Sequence, residues 1–160
     1  MSIFKNIPED SLLLNRSDPE ELLGSFSAHS FFLDDRDWPT AEHYYQAMKF
    51  SDPDYQERIR NAPSVTKARR LGHNWFKRKR PDYKKVRITL MTRAMYTKCR
   101  TYPIIARTLL DTGEQYIAER SFNDYFWGCG RDGRGDNNFG RALMSIRSRL
   151  LEEQKSKSRA

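Results

Sequence analysis

Three stretches in the second half of the chain repeat apolar residues at the three- and four-residue spacing of a helix. The longest follows Pro81, and its stripe consists of Tyr83, Val86, Leu90 and Ala94, with Met91 and Met95 beside it. Pro103 begins the second stretch, which Gly113 ends, and the third carries Leu143, Ile146 and Leu150. The pattern predicts three helices and therefore a mainly helical core.

Capping residues predict shorter helices earlier in the chain. Thr40 is suited to cap a helix that runs to about Phe50, while Pro53 and Ser64 begin two more. The sequence Ser-Asp-Pro-Glu at residues 17–20 has the composition of a further helix start, because proline is favoured at the first helical position.

Only short segments have the composition of strands. Phe31-Phe32-Leu33, followed by an acidic turn, predicts one strand, and residues 115–119 predict another. Residues 122–140 read as a long, glycine-rich loop. A length of 160 residues suits one domain. We therefore expect a single compact α+β domain over residues 1–160, mainly helical, with a small β-sheet, the glycine-rich loop and a short polar tail at residues 155–160.

Basic residues are concentrated in the middle of the chain. Residues 41–100 hold 16 Lys or Arg against five Asp or Glu, in a chain whose net charge is +8. The densest part is Lys77-Arg78-Lys79-Arg80, followed by Lys84, Lys85 and Arg87. Such a run attracts nucleotide phosphates or nucleic acid. The alternative is a solvated helical face with no ligand.

Several classes of protein are disfavoured. No apolar run approaches the roughly 20 residues that cross a bilayer, so no membrane contact is expected. Residues 1–10 lack an apolar stretch, which argues against a secretory signal and favours a cytoplasmic location. Cys99 and Cys129 stand apart, and no second histidine lies at ligand spacing from His43, so neither a disulfide framework nor a metal site is predicted. The oligomeric state stays open.

The segment Trp-Pro-Thr-Ala-Glu-His-Tyr-Tyr-Gln-Ala-Met-Lys-Phe, residues 38–50, places polar side chains on one helical face. Glu42, Gln46 and Lys49 occupy positions i, i+4 and i+7 of the helix predicted after Thr40, and Tyr45 shares their face. Because aromatic residues accompany the charges, we expect this face to line a ligand pocket. An exposed polar face is the alternative.

Five of the eight glycines lie between residues 128 and 140. Glycine permits a close backbone approach, and the helix that follows offers free amides to a phosphate group. Arg131 and Arg134 add charged donors. Just upstream, Asp124 and Trp127 supply a carboxylate and a stacking surface. We therefore predict a phosphate-holding loop, with a flexible connector as the alternative.

Together these segments resemble the NADAR superfamily and, within it, the YbiA branch. The resemblance rests on Trp38-Pro39-Thr40-x-Glu42-His43-Tyr44-Tyr45-Gln46-Ala47-x-Lys49-Phe50 and on Asp124-x-Phe126-Trp127-Gly128-x-Gly130-x-x-Gly133-x-Gly135-x-Asn137. It covers residues 24–151, nearly the whole chain. One departure is visible at Ser27-Ala28-His29, where many members carry Ser-Asn-Phe, so Ala28 cannot make a contact that depends on that asparagine.

The resemblance implies an N-glycosidase that needs no metal or organic cofactor. In the YbiA branch, the implied reaction is hydrolysis of the phosphoribosylamino-pyrimidine intermediates of riboflavin biosynthesis. Other members remove ADP-ribose from guanine in nucleic acid, and a non-catalytic ADP-ribose or nucleotide-binding module would share many of the same residues. The implied partner is therefore a small phosphoribosyl or ADP-ribosyl substrate, with contact to ADP-ribosylated nucleic acid as the alternative.

The residues suit cleavage of an N-glycosidic bond, in which positive charge develops at the anomeric carbon. Glu42 and Asp124 are the predicted catalytic carboxylates. Lys49 is the predicted nucleophile, which requires a depressed pKa to form an imine with the opened sugar. The predicted substrate-binding residues are Trp38, Tyr44, Tyr45, Gln46, Trp127, Gly128, Gly130, Arg131, Gly133, Arg134, Gly135 and Asn137.

Overall fold

The structure is a computed structural model that describes residues 6–160, so the first half of the N-terminal segment considered above lies outside the described residues. In chain order its elements are β1 (Leu12–Leu14), β2 (Phe31–Leu33), β3 (Arg36–Trp38), α1 (Ala41–Met48), α2 (Pro53–Arg60), α3 (Val65–Gly72), α4 (Tyr83–Thr101), α5 (Pro103–Leu110), β4 (Ile117–Glu119) and α6 (Asn138–Arg159). The mainly helical α+β class is confirmed.

The capping residues begin helices where the sequence predicts them. The Thr40 hydroxyl accepts a hydrogen bond from the His43 amide, and the Ser64 hydroxyl accepts one from the Lys67 amide. α4 buries the later part of the predicted apolar stripe, with Leu90, Met91, Ala94 and Met95 in the core, while Tyr83 and Val86 are half-buried. α6 continues without interruption through the polar residues from Lys155 to Arg159, so the polar tail predicted at residues 155–160 is mostly helical.

The predicted helix start at residues 17–20 is wrong. This segment forms consecutive turns, because the side chains of Asn15 and Asp18 accept hydrogen bonds from the backbone amides two residues later. Farther along, the buried ammonium group of Lys98 binds the carbonyl oxygens of Leu22 and Gly24. Those carbonyls are therefore committed to a tertiary contact and not to a helix.

The strands form two separate two-stranded sheets within residues 6–160. β2 and β3 make an antiparallel hairpin whose turn residues, Asp34 and Asp35, both adopt a positive φ. β1, a strand that the sequence does not predict, pairs in parallel with β4, in the register Leu12–Ile117 to Leu14–Glu119. This pairing brings the N-terminal segment beside the start of the glycine-rich loop.

α1 lies at the centre of the molecule. It packs against α2, α3 and α4, while α4 also packs against α5 and α6. Every residue of α1 from Ala41 to Ala47 is buried. The polar side chains of this helix must therefore find partners inside the protein, and they form the floor of the candidate site. No helix within residues 6–160 is long and apolar enough to cross a membrane.

Candidate active site

The polar face of α1 is buried, whereas the polar face of a helix usually lies in solvent. Glu42 is 0% exposed, Gln46 is 2% exposed and Lys49, at the C-cap, is 3% exposed. Burying charged groups is costly unless other charges or hydrogen bonds compensate. The alternative of a solvated helix face is therefore excluded.

Four donors surround the Glu42 carboxylate. Its Oε2 accepts hydrogen bonds from Arg16 Nη1 at 3.2 Å and Ser25 Oγ at 2.6 Å. Its Oε1 accepts from Gln46 Nε2 at 2.6 Å and Arg69 Nε at 3.3 Å. Burial alone would raise the pKa of this carboxyl, but the two guanidinium groups and the two hydrogen bonds lower it to about 2.

Glu42 is therefore ionised throughout the physiological range, with both oxygens occupied and no exposed surface. A proton shuttle needs a pKa near the working pH and a free path to the substrate. The predicted role of Glu42 as a catalytic carboxylate does not fit this geometry. Its negative charge instead fixes the positions of Arg16 and Arg69 and stabilises the cationic form of Lys49.

Lys49 lies between two aromatic rings. Its Nζ is 5.1 Å from the centroid of the Tyr45 ring and 5.8 Å from that of Tyr83, and the two phenol oxygens are hydrogen-bonded at 2.7 Å. Within residues 6–160 the amino group makes no hydrogen bond or ion pair, so the two aromatic rings are its direct contacts that favour the charged state. Burial, together with the nearby cations Lys79, Arg16 and Arg69, lowers the pKa of Lys49 to about 7, although the negative charge of Glu42 opposes this shift.

Asp124 reaches the same place from a distant part of the chain. Its Oδ1 accepts hydrogen bonds from the amides of Phe126 and Trp127, which fixes the carboxylate at the start of a turn. Its Oδ2 accepts from Arg16 Nη2 at 3.3 Å. The Asp124 side chain is 27% exposed, so it can meet a ligand, unlike Glu42.

These groups border a cleft of about 360 Å³. That volume lies within the roughly 300–1,000 Å³ range of small-molecule sites. The cleft is lined by Arg16, Tyr45, Gln46, Lys49, His73, Lys79, Tyr83, Lys84, Arg87, Asp124, Phe126 and Trp127. The cleft therefore unites Gln46 and Lys49 of α1 with the segment around Asp124 and with part of the basic run, whereas Glu42, which the sequence predicts on the same face, does not line it.

Two predicted binding residues lie elsewhere. Trp38 is 0% exposed, its Nε1 donates to the carbonyl of Leu33, and its ring packs edge-on against Tyr44. Tyr44 is also 0% exposed, and its hydroxyl donates to Asp34. Both rings fill the core on the side of α1 away from the cleft, because adjacent helix positions face different directions. Ala28, in the segment that departs from the family pattern, is exposed and does not line the cleft.

The glycine-rich loop satisfies its own backbone. The first amides of α6 donate to loop carbonyls, in the pairs Asn137–Gly128, Asn138–Phe126 and Phe139–Trp127. A Cβ atom at Gly135 would lie 2.3 Å from the carbonyl oxygen of Gly128, and one at Gly128 would lie 2.3 Å from Glu119 Oε2. The glycines therefore permit close packing of the loop, and these three amides are not free to hold a phosphate.

The outer part of the loop also points away from the cleft. Arg131 is exposed, and Arg134 is 78% exposed and lies near Asp132. Gly130 and Gly133 adopt positive φ values of 67° and 73°, which glycine tolerates best. Asn137 is buried, and its side chain binds the Glu119 amide and the Ile117 carbonyl. These five residues shape the loop and do not line the cleft.

Several cleft residues were not predicted as site residues. Arg16, which joins Glu42 to Asp124, stands in a turn-rich segment without periodicity. His73 at the C-cap of α3 lines the cleft, and Arg69 on the same helix contacts Glu42 beneath it, because α3 packs against α1. A signal was available only for Lys79, Lys84 and Arg87, which belong to the basic run that we read as a phosphate-attracting patch. Lys77 and Lys85 of that run lie outside the cleft.

Other features do not compete with this cleft. A larger depression of about 670 Å³ beside α5 includes Arg107 and Asp111 but no buried ionisable side chain. Among residues 6–160, no three His, Cys, Asp or Glu side chains converge in a way that would hold a metal ion. The combination of a buried lysine with an accessible carboxylate, and not size, distinguishes the cleft.

Comparisons with known proteins agree on one relationship. The chain is 33% identical over 153 residues to N-glycosidase YbiA of Shigella boydii, covering 94% of this chain and 96% of that protein. It is 39% identical over 142 residues to the chloroplastic riboflavin biosynthesis protein PYRR of Zea mays, covering 79% of this chain and 23% of that longer protein. The NMR structure of the Escherichia coli protein YbiA matches with a TM-score of 0.81 at 32% identity, covering 96% of this chain and 95% of that one.

These similarities place the chain in a class of mainly helical α+β proteins that includes several named N-glycosidases. A profile of the NADAR domain matches residues 9–151, and the chain belongs to the NADAR family. The resemblance inferred from the sequence is thereby confirmed. The match also begins earlier than residue 24, and its range includes Arg16, which the motifs had left out.

Proposed function

We propose that this protein hydrolyses the N-glycosidic bond of phosphoribosylamino-pyrimidine intermediates of riboflavin biosynthesis. Relatives named N-glycosidase and riboflavin biosynthesis protein support this assignment. The observation that carries it is the state of Lys49: an amine 3% exposed, with a pKa lowered to about 7, which lines the same basic cleft as the Asp124 carboxylate. A module that only bound nucleotides would gain nothing from a neutral, buried amine.

Lys49 acts as the nucleophile in this proposal. The glycosylamine substrate opens to a protonated imine, and the neutral Nζ of Lys49 adds to C1′ to give an aminal. The bond from C1′ to the pyrimidine amine then breaks, with a proton moving to that nitrogen, and an imine remains between C1′ and Nζ. Water adds to this imine and releases ribose 5-phosphate, which regenerates the amine. The net reaction consumes one water molecule.

Asp124 is the proposed proton carrier and electrostatic partner. It is the accessible carboxylate of the cleft, and it is held in place by two backbone amides and Arg16. In this position it stabilises positive charge that develops at C1′ and passes a proton between the leaving amine and water. Glu42 acts through Arg16 and Lys49 as a positioning residue.

The remaining lining suits a phosphorylated sugar and a planar base. Lys79, Lys84 and Arg87 contribute positive charge for the phosphate. Trp127, which packs edge-on against Tyr45, contributes an apolar wall for the base. Two buried polar atoms of lining residues have no partner within residues 6–160, namely Gln46 Oε1 and Arg87 Nε. Both atoms are inaccessible to solvent and Gln46 Oε1 packs against Gly72, so a substrate group could reach them only after these side chains move.

The assignment is tested by incubating the protein with the phosphoribosylamino-pyrimidine and, separately, with guanine-ADP-ribosylated DNA. Chromatography should show ribose 5-phosphate and free pyrimidine from the first substrate, with a far lower rate for the second. Release of ADP-ribose alone would instead favour the alternative activity. Binding of either compound without products would overturn the enzymatic proposal.

A further inference from the structure

Trp75 and Phe76 form an exposed aromatic pair outside the cleft. Their side chains are 83% and 79% exposed, the highest values among the large hydrophobic residues of the described chain. The two rings stack on each other, with centroids 3.9 Å apart and planes inclined by 29°. Exposed apolar groups of this size carry a cost in water, so their position calls for a ligand.

The segment that carries the pair is anchored at both ends. The Asn74 side chain donates to the Tyr55 hydroxyl and accepts from the Phe76 amide, while the Arg80 amide donates to the carbonyl of Lys49 at 2.8 Å. The aromatic pair is therefore presented by a fixed turn and not by a loose loop. A fixed platform loses little entropy when it binds.

The charges around the pair favour a polyanion. Lys77 is paired with Asp52 and Arg80 with Asp82, but Arg78 and Lys79 make no ion pair within residues 6–160. Lys79 also lines the cleft, so positive charge continues from the exposed rings to the candidate site. Flat aromatic surface next to uncompensated cations is the combination with which proteins bind single-stranded nucleic acid.

We propose that Trp75 and Phe76 form a stacking platform for single-stranded nucleic acid, with Arg78 and Lys79 holding its phosphates. The bases stack on the exposed aromatic face, and because every base has a π-face the contact is tolerant of sequence. An anionic membrane is the less favoured partner, since the rings stack on each other and are not spread to insert among lipids. Through this surface the protein binds nucleic acid in addition to a small substrate in the cleft. The proposal does not depend on the proposed hydrolysis.

The fluorescence of Trp75 can report on binding at this surface. The other two tryptophans, Trp38 and Trp127, are 0% and 6% exposed, so quenching by iodide reports mainly on Trp75. A labelled 12-nucleotide single strand should bind with an affinity that falls as salt rises, and the bound strand should protect Trp75 from iodide. Trp75→Ala and Phe76→Ala should each weaken binding roughly five- to a hundredfold. Phe32→Ala, which removes a 61% exposed ring elsewhere, is the matched control.

Three comparisons complete the test. An abasic strand of equal length carries the same phosphates without bases, so it should bind more weakly than the normal strand and leave Trp75 accessible to iodide. Circular dichroism of each variant should match that of the parent chain, which shows that the loss is local. Equal binding of the abasic strand, unchanged binding by Trp75→Ala, or protection of Trp75 by anionic vesicles but not by the oligonucleotide would overturn the proposal.

Discussion

Arg16 donates from Nη1 to Oε2 of Glu42 across 3.2 Å, and the carboxylate it meets is 0% exposed. The second arm of the same guanidinium holds Asp124 at 3.3 Å. Arg16 therefore joins a buried, permanently ionised carboxylate to an accessible one. Because the fork of a guanidinium fixes the direction of both contacts, Glu42, although fully buried, helps to orient Asp124 toward the cleft.

Replacing Arg16 should destabilise the protein. Arg16→Met leaves Glu42 with Arg69, Ser25 and Gln46 but removes one buried cation, and breaking a buried pair in this way costs about 3–5 kcal/mol. Urea denaturation should show this loss in the free energy of unfolding. The matched control is Arg93→Met, whose partner Asp34 is part of a half-exposed pair, so its loss should be about 0–1 kcal/mol.

The double variant separates a lost contact from an uncompensated charge. If the cost of Arg16→Met comes from leaving Glu42 under-paired, adding Glu42→Gln should restore part of the free energy of unfolding, so the two effects will not add. Strict additivity of the two single losses would contradict the coupling that the structure shows.

The pH dependence of activity should report Lys49. Its amine must be neutral to attack, and its pKa lies at about 7, so kcat/KM should rise with pH through that value and level off above it. His73 is a poor alternative, because burial and the nearby Lys49 lower its pKa below the usual value. A rate that instead falls as pH rises through 7 would mean that Lys49 works as a cation.

A neighbouring charge should move this midpoint. Lys79 lowers the pKa of Lys49, so Lys79→Gln should raise that pKa and move the midpoint of the pH profile to higher pH. Lys85→Gln removes the same charge from outside the cleft, and its profile should coincide with that of the parent protein. An equal shift in both variants would indicate a general effect of net charge and contradict a local one.

The sequence predicts much of this site because the informative residues share one helix. Glu42, Gln46 and Lys49 are related by helical spacing, and the Thr40 cap fixes where that helix begins. Their burial is the part that spacing cannot supply, since the same pattern suits an exposed helix. It follows from the tertiary packing of α2, α3 and α4 around α1.

The residues that escaped prediction lie far from their partners in the chain. Arg16 is 26 residues from Glu42 and 108 from Asp124, and nothing local in its turn-rich segment marks it. The sequence alone could not show the role of the glycine-rich loop, for a related reason. A run of glycines is typical of loops that hold anions and also of loops that pack closely against themselves, and only the hydrogen bonds of residues 126–139 distinguish the two.

Two adjacent lysines of the basic run should differ in their effect on substrate binding. Lys84 lines the cleft and Lys85 does not, although both are exposed. Lys84→Gln should raise KM several-fold at low salt with little change in kcat, whereas Lys85→Gln should leave both nearly unchanged. At about 1 M salt, where the Debye length is roughly 3 Å, the difference should disappear. A large loss of kcat in Lys84→Gln would place that lysine in the chemical step.

The covalent role of Lys49 is open to direct chemical test. Arginine keeps a positive charge but cannot form an imine, so Lys49→Arg should lower kcat by roughly a hundredfold or more, while Lys84→Arg should remain active. Borohydride added during turnover should reduce the imine to a stable secondary amine, which adds the mass of the reduced ribose phosphate to the peptide that contains Lys49. If Lys49→Arg turns over at nearly the parent rate and no adduct forms, Lys49 holds a phosphate or a sugar hydroxyl. Asp124 would then activate water for direct hydrolysis, because it is the carboxylate of the cleft that a substrate can reach.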